Sequence, residues 1–317
     1  MILIISWSGD EHAQAVSREL ERSGAAAQVV DLALFPRDLT LSMRYGVKNG
    51  LDFRLRLANG VELPMRDVRA IWWRRPRHFG LHPEVTRGSH QTFAYNEAQE
   101  AFSGLWQALD TYWINSPLAD QAAARKTYQL RIASDVGLRI PDTLVTNEPE
   151  RAREFIDTLG VGEVIYKAFS ATETEWRETR LIRSEELALL AHVRYAPVIF
   201  QEYIRAVADL RITVVGAELF AAAIYSQETA YPVDFRMDMH RARTEPVTLP
   251  SEVRERLTAF MNRLGLVYGA VDMRLTEDGE YVFLEVNPAG QWLFVEQRTG
   301  QPITQAVARA LVEARSS

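Results

Sequence analysis

Residues 267–287 read VYGAVDMRLTEDGEYVFLEVN, and this stretch decides how the rest of the chain is placed. Two apolar runs, 267–276 and 280–287, flank Asp278-Gly279, a dipeptide that favours a tight hairpin turn because glycine adopts positive φ without steric cost. A two-residue turn there sets the register. Asp272 falls opposite Glu285, Ala270 opposite Asn287 and Arg274 opposite Phe283. Side chains alternate along a strand, so Asp272, Arg274, Glu285 and Asn287 share one face, while Val271, Met273, Leu284 and Val286 take the other and pack. Two carboxylates and a carboxamide at cross-strand spacing form an oxygen-only site for a hard cation. Such a set suits Mg²⁺, which takes its remaining oxygens from substrate phosphates and water. The alternative is a solvated face with Arg274 balancing the acids; the apolar opposite face weighs against it.

Working outward, the hairpin runs into Pro288-Ala289-Gly290-Gln291-Trp292. Upstream, Asp209-Leu210-Arg211 and Asp234-Phe235-Arg236 repeat the pattern of Asp272-Met273-Arg274. Residues i and i+2 of a strand point the same way, so each motif presents a carboxylate and a guanidinium to one side. One such exposed pair contributes little. Three converging on a metal hairpin make a cleft for anions and carboxylates, since arginine binds both bidentately.

The last third is otherwise a hairpin about Gly216-Ala217, a helix over 251–264 and a terminal helix over 302–314. Before it, a helix over 118–136 precedes strands at 141–145, 163–167, 173–182 and 198–203, with helices at 149–159 and 185–193. The first third is a βαβ-type unit: strands at 1–6, 28–32 and 68–73, helices at 10–23 and 89–112, and a strand pair within 40–63. The expected class is therefore α/β (α+β), in three units: 1–117, 118–203 and 204–317.

Composition narrows the function. The chain has 317 residues, enough to bury about three-quarters of its unfolded surface and fold without cross-links. Cysteine is absent, which excludes thiolate metal sites and cysteine nucleophiles. The net charge of −6 argues against a nucleic-acid partner. No apolar run approaches the ~20 residues of a membrane span, and residues 1–5 are too short for a signal peptide, so a cytoplasmic enzyme with no membrane partner is expected. Lysine is scarce: Lys48, Lys126 and Lys167 stand in an arginine background, which points to positions needing a compact ammonium.

With these residues in hand, the chain from Trp72 to Gln297 resembles the ATP-grasp ligases. Lys126 and Lys167 fall at that family's two phosphate-binding lysine positions. Phe200-Gln201-Glu202-Tyr203-Ile204 resembles its adenine-holding hinge, implying ATP contacts at Gln201, Glu202, Tyr203 and Ile204, with Asp209 near the ribose. Asp272, Glu285 and Asn287 match its Mg²⁺ ligands. Within the superfamily, Trp72-Trp73-Arg74-Arg75-Pro76, the Asp-x-Arg motifs and the run from Glu285 to Trp292 resemble the microviridin-type graspetide synthetases.

That resemblance implies an ATP-grasp fold with an N-terminal βαβ-type domain, a small central lid and a C-terminal antiparallel sheet. It also implies a partner, a ribosomally made precursor peptide whose leader sits on the hairpin and helix within 168–195. An Asp or Glu side chain of the peptide attacks the γ-phosphorus of ATP. A Ser/Thr hydroxyl or Lys amine then attacks the acyl phosphate and closes an ester or amide ring. Arg211, Arg236 and Arg274 are expected to stabilise the developing charge, and Asp234 to accept the hydroxyl proton. The sequence departs from many family members in residues 168–180, which lack glycine and carry Glu173, Glu175 and Glu178, charges that suit a basic leader. Related enzymes often form homodimers, and no dimer signature is legible here. Two other readings share the nucleotide site: a ligase for a free amino acid, small molecule or peptide tail, and a nucleotide-binding regulator without turnover.

Overall fold

The computed structural model describes residues 1–47, 50–169, 179–226 and 242–314. The chain starts with β1 (Ile2–Ile5), α1 (Glu11–Arg22), β2 (Ala27–Val30), β3 (Leu39–Gly46), β4 (Gly50–Leu57), β5 (Glu62–Pro64), β6 (Ala70–Trp73), α2 (Gly88–Ala108) and β7 (Tyr112–Ile114). A parallel sheet of order β2-β1-β6-β7 forms the centre. Its strands are continuous apolar runs because both faces are covered. Ile2 and Ile4 face α1 and the C-terminal helix, whereas Leu3 and Ile5 face α2 and the small β3-β4-β5 sheet.

The expected single helix over 118–136 is two: α3 (Pro117–Ala123) and α4 (Lys126–Asp135). Gln129 supports the break. Its Nε2 donates to the Ala123 carbonyl, which the break leaves without a helical partner, at 2.5 Å. There follow β8 (Thr143–Thr146), α5 (Pro149–Leu159), β9 (Val164–Lys167), β10 (Arg180–Leu181), a 3₁₀ helix (Ser184–Tyr195) and β11 (Val198–Glu202). They form an antiparallel sheet of order β10-β9-β11-β8 with the helices packed against it. The segment expected as an α-helix is 3₁₀. Its inward residues Leu187, Leu190 and Val193 recur every third position and so align on a helix of three residues per turn.

The rest comprises β12 (Ala208–Val215), β13 (Glu218–Ile224), β14 (Thr244–Pro246), α6 (Ser251–Leu264), β15 (Tyr268–Leu275), β16 (Tyr281–Asn287), α7 (Leu293–Thr299) and α8 (Ile303–Val312). The sheet order is β14-β13-β12-β15-β16, and β12 is buried along its whole length. On one face pack α4 and α6; on the other, α8 bridges to the first sheet in a shared core.

The β15–β16 hairpin corrects the expected turn. Thr276 N–H donates to the Glu280 carbonyl, and Gly279, at φ +80°, donates to the Thr276 carbonyl, giving a three-residue loop. That loop shifts the register near the turn by one, so Arg274 lies opposite Val282, not Phe283. A bulge at Leu284 undoes the shift, and Asp272 faces Glu285 and Ala270 faces Asn287, as expected. The bulge also exchanges two side chains. Phe283 is buried in the core with Met273, while Leu284 lines the cleft described next.

Candidate active site

A cleft between the middle and last sheets gathers most of the residues singled out above. Lys126, Lys167, Gln201, Glu202, Tyr203, Ile204, Asp209, Asp272, Arg274 and Glu285 all line it. Lys126 is there because of the break between α3 and α4: it opens α4, and its Nζ lies 3.4 Å from Glu285 Oε2. A cation at a helix N-terminus is disfavoured by the helix dipole, and an anion beside it offsets that cost. Lys167 ends β9 and donates to Gln201 Oε1 at 3.1 Å. Gln201, buried, is oriented by donating from Nε2 to Thr143 Oγ1 at 2.8 Å.

The two described Asp-x-Arg motifs are antiparallel neighbours. Asp209 pairs in register with Arg274, and Arg211 with Asp272. Each acid therefore serves the other motif's guanidinium instead of its own. Arg211 Nη1 donates to Asp272 Oδ1 at 2.8 Å, and Arg274 Nε to Asp209 Oδ1 at 2.9 Å. Burial alone would lower the Arg211 pKa, but Asp272 outweighs it and the net shift is upward. Each pair reaches a different part of the site. Arg211 Nη2 donates to the Gln291 carbonyl at 2.9 Å, in the loop beyond Asn287. Arg274 Nη1 donates to the Ile204 carbonyl at 2.7 Å and stacks over Tyr203, so it supports the hinge. Asp209 accepts from Ser226 through its second oxygen.

Asp272 and Glu285 face each other across the hairpin, and Asn287 follows two residues on along the same strand. Asn287 is exposed, and its Oδ1 accepts from Ala289 N–H at 2.9 Å. Among the described residues no group of three or more His, Asp or Glu side chains is placed to hold a metal by itself. Two carboxylates and one carboxamide fit a Mg²⁺ that shares its shell with nucleotide phosphates. Asp234, Arg236 and the acidic stretch Thr172–Glu178 lie outside the described residues.

Sequence reading missed the residues that fix this set from behind. The N–H and carbonyl of Val286 are taken up by the Gln129 amide, which accepts at 2.8 Å and donates at 2.9 Å, and Phe283 N–H donates to the Arg139 carbonyl at 2.8 Å. The outer edge of β16 is thereby closed by the α4 segment. The buried Asn115 amide binds Val267 and Tyr268 N–H and donates to the Tyr268 and Pro288 carbonyls. Arg74, wholly buried, donates to the Ala289 and Gly290 carbonyls at 2.6 and 2.9 Å and to Asp10 at 3.2 Å. Burial alone would raise the Asp10 carboxyl, but bonds from His12 and Ser6 and the Arg74 charge hold it well below its usual range. Burial lowers the His12 pKa, consistent with a neutral ring whose Nε2 accepts from Trp292 N–H at 3.0 Å. Gly290 is there by necessity: a Cβ would lie 2.3 Å from Ala270 Cβ and 2.9 Å from Arg211 Nη2. The one legible signal for this network was the adjacency of Trp72-Trp73-Arg74 and the run 288–292 among the quoted motifs.

Comparison with known proteins agrees with the fold. Residues 1–121 match the MvdD pre-ATP-grasp domain, and residues 123–311 match the RimK-like ATP-grasp domain. The macrocyclase MdnC of Microcystis aeruginosa, solved with precursor peptide MdnA, is 30% identical over 98% of this chain and 99% of its own, with a TM-score of 0.87. A Chryseobacterium gregarium RiPP-associated ATP-grasp ligase, solved with ADP and a leader and core peptide, is 26% identical over 99% and 97% of the two chains, TM-score 0.89. A probable alpha-L-glutamate ligase of Aliivibrio salmonicida is 25% identical over 204 residues, covering 62% of this chain and 66% of its own length. Domain match, fold and the cross-strand carboxylates beside two lysines together show that this chain belongs to the ATP-grasp ligases.

Proposed function

We propose that the protein is an ATP-dependent peptide macrocyclase. It phosphorylates Asp or Glu side chains of a ribosomally made precursor peptide and joins them to Ser/Thr hydroxyls or Lys amines. The observation that supports this most is the likeness to a precursor-bound macrocyclase along almost the whole of both chains, including the N-terminal unit. The expected units 1–117, 118–203 and 204–317 then divide the labour: the first and last hold the reaction site and the middle one covers the nucleotide.

In this reading Lys126 and Lys167 hold ATP phosphates, the hinge at Gln201–Ile204 takes the adenine, and Asp209 and Arg274 brace the hinge beside it. Asp272, Glu285 and Asn287 hold Mg²⁺, which neutralises charge on the phosphates when bound. A peptide carboxylate oxygen attacks the γ-phosphorus, the bond to the β-phosphate oxygen breaks, and ADP leaves. The hydroxyl or amine attacks the acyl carbon, its proton passes to a base for which Asp234 is the candidate, and phosphate leaves. Arg211 and Arg236 offset charge on the phosphoryl and tetrahedral oxygens, whereas Arg274, expected to join them, is engaged with Asp209 and the Ile204 carbonyl and keeps the bracing role. The leader is assigned to the hairpin and helix within 168–195, where Leu189 and Tyr195 are exposed. The proposed location is cytoplasmic; among the described residues no helix is long and apolar enough to cross a membrane.

The test is ADP release by the full chain with candidate precursors, coupled to mass spectrometry. Loss of one water mass per ring together with ADP supports the reading. The resemblance to glutamate ligases favours a second one, in which ADP is released with free glutamate and the acceptor gains mass. Failure to release ADP with either kind of substrate, while ATP still binds, favours the regulator without turnover.

A further inference from the structure

A second cavity, of about 740 Å³, lies apart from the nucleotide cleft. It opens beyond the carboxyl ends of β6 and β7, where open parallel sheets commonly receive ligands. Its volume is that of a small-molecule site. The walls are aromatic. Trp73, Phe79, Tyr95, Trp106 and Trp113 line it, and the three indoles contact one another edge-on with centroids 5.8–6.4 Å apart.

One carboxylate joins these rings. Asp120, in the first turn of α3, is the only acidic side chain lining the cavity among the described residues. Its Oδ1 is buried and has no hydrogen-bond partner. Burial pushes this carboxyl up to about 6. Arg77, the guanidinium on the same wall, is bonded to Asp31 and so does not answer Asp120. A buried polar atom without a partner costs free energy, and indole faces attract cations. A cation satisfies both: it pairs with the carboxylate through a charge-assisted bond, stronger than a neutral donor makes, and its charge suits the indole faces.

The cavity is also continuous in sequence with the reaction site. Trp73 precedes Arg74, which bonds the Ala289 and Gly290 carbonyls, and Ala124 precedes by two the Lys126 that pairs with Glu285. We propose that this cavity binds an alkylammonium or guanidinium side chain of the peptide substrate, through the Asp120 carboxylate and the Trp73, Trp106 and Trp113 rings. The peptide half of this statement rests on the macrocyclase reading; the cation half does not.

The probes are Nα-acetyl-lysine methylamide and its uncharged counterpart Nα-acetyl-norleucine methylamide, titrated into the full chain and followed by indole fluorescence. The lysine probe should bind about ten-fold more tightly. Asp120→Asn, nearly isosteric at a partly exposed position, should erase that preference while norleucine binding and ATP binding stay as in the wild type. Trp113→Leu should weaken both probes and serves as a second variant. Equal affinity for the two probes, or a preference that survives Asp120→Asn, overturns the proposal. So does sedimentation showing that a second copy of the chain covers the cavity. With a precursor, Asp120→Asn should raise KM and leave kcat, and replacing the peptide's lysines and arginines by glutamine should abolish the difference between the two enzymes. Ring closure that proceeds normally without the probe preference sinks the cavity alone. A probe preference without ring closure on any peptide sinks the macrocyclase reading and supports the cation site.

Discussion

Two ion pairs made by the same two strands serve different ends. Arg211–Asp272 and Arg274–Asp209 come from identical Asp-x-Arg motifs, are both buried, and have N–O distances of 2.8 and 2.9 Å. The first extends to the Gln291 carbonyl and holds the loop after Asn287; the second extends to the Ile204 carbonyl and holds the segment after β11. A motif repeated on antiparallel neighbours thus yields one brace at each end of the cleft. What separates them is their place along the strand, two residues apart, and not their chemistry.

Breaking either brace should show the symmetry first. Removing one partner of a buried pair leaves the other charge uncompensated, at a cost of about 3–5 kcal/mol. Urea denaturation of Arg211→Ala and Arg274→Ala should both show it. A loss no larger than that of a surface pair in either variant would mean that water reaches that pair.

Activity should then separate them. Asp272→Asn is expected to lower ADP release about 10²-fold or more, with a raised Mg²⁺ requirement. It also unbalances Arg211, so a stability loss accompanies it. Asp209→Asn should instead raise the KM for ATP while leaving the Mg²⁺ requirement in place. If both variants alter the Mg²⁺ dependence equally, the division of labour between the braces is wrong.

Gly290→Ala sharpens the comparison on the loop side only. The added methyl meets Ala270 and Arg211, and overpacking of this kind costs about 1–3 kcal/mol. Thermal unfolding should fall accordingly, and ATP affinity through the hinge should hold.

The smallest effect is a pH dependence. The His12 pKa lies below its ordinary 6.5, so the unfolded chain binds more protons than the folded one as pH drops past that value. Stability from neutral His12 is present above pH 6.5 and is lost as pH falls from there through the folded pKa. The slope of unfolding free energy against pH in this window should be shallower in His12→Gln. An unchanged slope would mean that burial does not hold the ring neutral in the folded chain.

The sequence by itself determined a great deal of this molecule. The alternation of 267–287 placed Asp272 opposite Glu285, and two of three lysines marked the cleft. It did so even though the expected turn was one residue too short, because the Leu284 bulge restored the register that the longer loop displaced. Apolar periodicity located most strands and helices, since those signals act within a few residues, but not β14 or α7. Only the tertiary structure decided which strands lie side by side. Arg211 finds its acid 61 residues away, Arg74 reaches carbonyls 215 and 216 residues away, and the break that sets Lys126 against Glu285 is held by Gln129 on a strand edge 157 residues on. Such pairings are fixed by the burial of whole sheets, where an unpaired guanidinium or an open edge is costly. No local pattern of residue types carries that cost.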